Sequence, residues 1–143
     1  MIGIILIPLP IDSANSHSEA VATAVDIAKA NGARIVLLHV QETMPGSVSA
    51  HLPADFAKEA MKTTMADLTA TAKKHGIDKE CEIVVRSGNP AAEILEFASE
   101  AGIDMIVMVS HDPGVADYFL GSVAARVVRH AHYSGLVVRH PKS

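Results

Sequence analysis

Four stretches of this chain, residues 3–9, 35–40, 104–109 and 136–139, are apolar without alternation, and they restrict the possible folds more than any other feature. A strand with one face in water alternates apolar and polar side chains, whereas a strand covered on both faces is apolar throughout. Runs such as Ile35-Val36-Leu37-Leu38-His39-Val40 therefore predict strands of a parallel sheet with helices on both sides. Residues 81–86 read as one further, shorter strand between the second and third of these runs.

The segments between the strands carry helical periodicity. Over residues 16–31, Val21, Val25 and Ala28 recur at helical spacing while Asp26 and Lys29 face away, and Asn31-Gly32 ends the helix. Residues 42–52, with Pro45-Gly46 and several serines, read as a loop. A helix from about Pro53 places Ala57, Met61, Met65, Leu68 and Ala72 on one stripe, with the methionines expected in ordinary core packing, and stops at His75-Gly76. Asn89-Pro90 offers N-cap and N1 residues in the favoured order, and Ile94, Leu95 and Ala98 mark the inner face up to Ala101-Gly102. Gly121-Ser122 opens a last helix whose Val123, Val127 and Ala131 are expected to face inward.

Strands alternating with helices through right-handed crossovers imply a doubly wound, three-layer α/β sandwich, Rossmann-like, with a five-stranded parallel sheet in the order 3-2-1-4-5, formed as a single domain over residues 1–143. Ligands of such sheets sit outside the carboxyl ends of the strands where the order reverses, here between the first and fourth. Pro8, Leu9 and Asp12 lie at one side of that crevice, and Met108, Val109 and the segment up to Ser122 at the other. Local chemistry points to the same place. A β-branched strand that opens through Ser110-His111-Asp112-Pro113-Gly114 and leads to Gly121-Ser122 at a helix head aims backbone N–H groups at one spot, which favours an anion, phosphate above all.

Composition removes several function classes. The net charge of −4, with acidic residues spread over the helices, gives no basic stripe for a nucleic-acid backbone. Cys81 is the only cysteine, which rules out a disulfide framework and suits a reducing compartment, the cytoplasm. Aromatic residues are 3% of the chain and Trp is absent, against base-stacking platforms. The apolar start lacks a cationic n-region and soon meets Pro8, Pro10 and Asp12, so it is expected as a buried strand and not as a signal peptide or membrane span. His130 and His132 are two residues apart, a spacing that does not face one metal, and His130 is better placed to interact with a helix carboxyl end. No nucleophile elbow, Walker loop or paired-histidine motif occurs, so catalysis is poorly supported.

The segment 104–139 resembles the C-terminal signature of the universal stress protein family, and the resemblance extends over nearly the whole chain. In that family an apolar strand is followed by Gly, two residues, Gly, a nine-residue spacer and Gly-Ser or Gly-Thr. Gly121 and Ser122 match, Val109 and Asp112 stand where the two earlier glycines are expected, and the spacer is one residue short. One branch of the family has a shortened loop without the second glycine and wording close to the Ser-His-x-Pro, Leu-Gly-Ser and Val-Arg-His-Ala found here.

The resemblance implies a cytoplasmic ATP-binding regulatory or sensor module of the stress response. It implies that Gly121, Ser122 and the N–H of Val123 hold phosphates, and that residues at the end of the first strand and the backbone after Val40 frame adenine and ribose. The ATP-binding set is then Pro8, Leu9, Asp12, Val40, Met108, Val109, Ser110, His111, Gly121, Ser122 and Val123, with His111 placed to donate to a phosphate. Asp12 comes two residues later than the family's usual aspartate, and capping the first helix or shaping an Asx turn is an equal alternative for it. Asp112 either forms a tight turn with Pro113 and Gly114 or faces the phosphates. About 6 Å from a triphosphate, an unscreened carboxylate costs roughly 1–3 kcal/mol at an effective dielectric near 20, which a bound Mg²⁺ would reverse. A homodimer through residues 135–140, where relatives commonly dimerise, and an unidentified client protein are the expected partners. Two alternatives stay open: a nucleotide-independent interaction module of the same fold, and a weak ATPase or autophosphorylating protein.

Overall fold

The computed structural model describes residues 2–9, 18–42, 46–109 and 122–138. Its elements are β1 (Ile4–Pro8), α1 (Ser18–Asn31), β2 (Arg34–Gln41), α2 (Gly46–Ser49), α3 (Phe56–Lys74), β3 (Cys81–Ser87), α4 (Pro90–Ala101), β4 (Met105–Val109), α5 (Ser122–His130) and β5 (Ser134–Val138). The five strands form one sheet in the order β3-β2-β1-β4-β5, every neighbouring pair parallel, as the apolar runs require. The three middle strands bury both faces: Ile5, Ile7, Leu37 and Val107 pack with Val21, Ala24 and Val25 of α1 and Leu68 and Ala72 of α3. Leu6, Val36, Leu38 and Ile106 pack on the opposite face with Ala91, Ile94 and Ala98 of α4 and Ala124 and Val127 of α5.

Local signals set the helix ends. The Asn89 side chain accepts from the Ala92 N–H at 3.0 Å, Pro90 follows in the first turn, and Gly102 closes α4 in a left-handed conformation (φ 68°) that suits a residue without Cβ. Asn89→Ala should lower the unfolding free energy by about 1 kcal/mol in urea titrations, with the m-value unchanged.

Three expectations need correction. The segment 42–52 is not wholly a loop, since it contains α2. On α3, only Thr64, Leu68 and Ala72 are buried, and Met61 and Met65 are 43% and 38% exposed. The helix packs on β3, the strand at the sheet's margin, and seats only the line Thr64, Leu68 and Ala72, which leaves the methionines outside the covered strip. Ala131 lies one residue beyond α5, its N–H bonded to the Val127 carbonyl at 2.9 Å, and is half-buried.

Candidate functional site

β1 and β4 are tied together at their amino ends, and their regular pairing stops short of their carboxyl ends. The Asp104 N–H donates to the Ile4 carbonyl at 3.0 Å, and the Asp104 carboxylate accepts from the N–H groups of Gly3 (2.8 Å) and Ile4 (3.0 Å). Regular pairing of β1 with β4 covers only Ile5–Met105 and Leu6–Ile106, while β1–β2 pairing continues to Pro8–Leu38 and β4–β5 pairing to Val109–Val138. The cause lies in Pro8. Along β1 the odd residues bond to β2, as in Arg34 N–H to the Gly3 carbonyl and Leu9 N–H to the Leu38 carbonyl, and the even ones face β4, as Ile4 does. Pro8 is even, so the donor it lacks is the next one due to β4. The β1–β4 ladder therefore ends early, a split in the hydrogen-bonded sheet at its topological switch point, on the side where doubly wound folds take ligands.

The described candidate residues divide between two sides of this split. Pro8 and Leu9 are buried at the exit of β1. Leu9 and Val109 turn toward the α1 face, whereas Val40, Met108 and Val123 belong to the apolar cluster on the α4–α5 face. Their side chains thus pack inward on opposite faces, and what the strand ends offer at the opening is backbone. Ser122 is the first residue of α5, the helix that follows β4, so the helix's first N–H groups, which have no acceptor within the helix, lie where its dipole favours an anion. Asp12, Ser110, His111, Asp112 and Gly121 lie outside the described residues.

Two polar contacts at the carboxyl end of β2 were not anticipated from the sequence. His39 Nδ1 lies 2.7 Å from the Leu9 carbonyl oxygen, and Gln41 Nε2 donates at 3.0 Å to the hydroxyl of the buried Thr64, which itself donates to the Ala60 carbonyl at 3.0 Å. The one available signal was a histidine interrupting an otherwise apolar strand. Among the described residues no group of three or more His, Cys, Asp or Glu side chains could hold a metal ion. Burial pushes the Cys81 thiol pKa up, the reverse of what a reactive thiolate needs. The described part of the opening can therefore donate and accept through backbone and cover an apolar ring, but supplies neither a nucleophile nor a metal set. No described helix is long and apolar enough to cross a membrane.

Known proteins share this architecture. Universal stress protein MJ0531 of Methanocaldococcus jannaschii is 32% identical over 142 residues, covering 95% of this chain and 82% of its own length. A universal stress protein solved in complex with cAMP superposes with a TM-score of 0.71 at 22% identity over 99% of each chain. The universal stress protein of Archaeoglobus fulgidus in complex with dAMP gives 0.64 at 23% identity, over 96% of this chain and 98% of its own. The model of the universal stress protein family matches residues 1–139. With that match over nearly its whole length, together with the relative at 32% identity, the chain belongs to the universal stress protein family.

Proposed function

We propose that this protein is a cytoplasmic ATP-binding regulatory or sensor module, a single domain that takes adenine nucleotide in the opening between β1 and β4. The observation that carries the reading is the split of the sheet at its switch point, with the start of α5 following β4. Two neighbours of the same fold solved with cAMP and with dAMP support an adenine ligand. The base and ribose would lie by the backbone of Pro8, Leu9 and Val40, with Asp12 beside them, and the phosphates by Gly121, Ser122 and the Val123 N–H, flanked by Met108, Val109, Ser110 and His111. Because the described residues hold no metal set, Mg²⁺ would arrive with the nucleotide, with Asp112 as its protein ligand. Mass spectrometry of the purified protein tests the reading directly: co-purified ATP or ADP is expected, and absence of both, together with no calorimetric binding of added ATP, would defeat it. With Mg²⁺ the affinity should exceed that in chelator by roughly ten- to hundredfold if Asp112 faces the phosphates. Equal affinity would remove Asp112 from that role.

Self-association through residues 135–140 forms part of the same proposal. β5 ends the sheet, and the apolar Leu136, Val137 and Val138 on it are only half-buried, so its outer backbone groups have no strand partner among the described residues. Pairing with a second copy across a two-fold axis would satisfy both. Val137→Pro removes an N–H from the middle of the strand and should convert dimers to monomers in light scattering at micromolar concentration. An unmodified protein with the mass of one 15.1 kDa chain would refute the dimer. A second reading, a nucleotide-independent interaction module acting on a client protein, is favoured by the exposed Phe56, Met61 and Met65 of α3.

A further inference from the structure

Among the described residues, both polar contacts of Leu9 at the exit of β1 are made with β2, and one of the two is a side chain. The Leu9 N–H donates to the Leu38 carbonyl at 2.8 Å, the last regular bond of the β1–β2 ladder. In the same alternation the next donor, to the Leu9 carbonyl, would be the Val40 amide, because even residues of β2 face β1. Regular pairing stops at Pro8–Leu38, and the imidazole of His39 takes that carbonyl instead, at 2.7 Å. A carbonyl oxygen can only accept, so Nδ1 carries the proton and Nε2 is left with a lone pair when the ring is neutral. The ring is half-buried on the α1 face, and Leu9 is 3% exposed, so the contact is confined rather than loosely solvated.

We propose that His39 is a positioning residue of the nucleotide site: by occupying the Leu9 carbonyl it fixes the backbone leaving β1 and reserves the Val40 amide as a donor for the adenine ring. The proposal rests on the nucleotide reading above. Pro8 and His39 act as complementary devices. The proline releases β1 from β4 to open the crevice, and the histidine keeps the released end pinned to β2, so the opening has one fixed wall. Without the imidazole, the Val40 amide would close onto the Leu9 carbonyl and lengthen the ladder by one bond, removing the donor from the ligand.

The test compares the full chain with His39→Leu and His39→Asn by calorimetry with ATP and Mg²⁺. Asparagine places an amide N–H the same number of bonds from the backbone as Nδ1, whereas leucine fills the volume without a donor. Leucine should weaken binding about tenfold and asparagine should recover it to within about threefold of the unmodified protein. Thermal melts separate this from general destabilisation, because leucine on a strand should keep the melting temperature while losing affinity. Leucine binding as tightly as the unmodified protein, or asparagine failing to rescue, would overturn the role of His39 with the nucleotide reading intact. No binding by the unmodified protein would overturn both. A measurement without any variant also decides: nitrogen NMR of the imidazole should show the Nδ1–H tautomer and a shift on adding ATP. An Nε2–H tautomer would set a lone pair against the carbonyl and refute the proposal.

Discussion

Gly121→Val should lower the affinity for ATP by about a hundredfold or more while leaving the circular dichroism spectrum unchanged. Gly121 itself lies outside the described residues, and the expectation comes from its position immediately before α5 and from the family's Gly-Ser turn. A phosphate at a helix head is bound by backbone N–H groups, and the backbone can approach it closely only where no Cβ intervenes. A β-branched side chain would push the phosphate away from more than one donor at once. Each charge-assisted hydrogen bond contributes about 1.5–3 kcal/mol, so losing two gives the predicted factor. Titration calorimetry with the purified variant measures it, and an unchanged dissociation constant would place the nucleotide elsewhere. The contrast with His39→Leu is informative, because that change touches only the base end of the site and should cost far less.

The largest effect on stability is expected at Leu6→Ala. Leu6 is fully buried in β1, the middle strand, and faces the cluster built from Val36, Ile106, Ile94 and Val127. Removing its side chain beyond Cβ leaves a cavity between sheet and helices that the surrounding elements cannot collapse to fill. A loss of about 3 kcal/mol is expected, which for a chain of this length lowers the melting temperature by roughly 10 °C. Met65→Ala on α3 is the matched comparison. It removes as much apolar side chain from a site that is 38% exposed, and should cost less than about 1 kcal/mol. Urea unfolding of the two variants side by side would settle the assignment, and equal losses would mean that α3 buries more than its exposure indicates.

That pair also marks the boundary between what periodicity can and cannot tell. Met65 and Leu68 share a helical stripe and are both apolar, yet only Leu68 is buried, because α3 lies at the sheet's margin and seats only the narrow line Thr64, Leu68 and Ala72. Periodicity reports which residues share a face and says nothing about how far the neighbouring layer extends.

The five strands, the four long helices between them, the parallel sheet and the family were legible in the residues alone. An apolar run without alternation is a local property that only a doubly covered strand satisfies, and Asn89-Pro90 and Gly102 act within one turn of where they stand. The location of the candidate site was also legible, since a doubly wound order has one reversal. Its construction was not. That Pro8 opens the sheet depends on which neighbour its missing N–H faces, and this is fixed by the ladder register and not by the residue. The bond from His39 to Leu9 joins residues 30 apart, and the Asp104 carboxylate meets Gly3 at a separation of 101. Contacts of that range leave no periodic trace in the chain, because they come into being only when parallel strands are brought side by side. A histidine inside an apolar strand or an aspartate before one acquires its role from the strand laid next to it, and which strand that is follows from the folded sheet and not from the neighbouring residues.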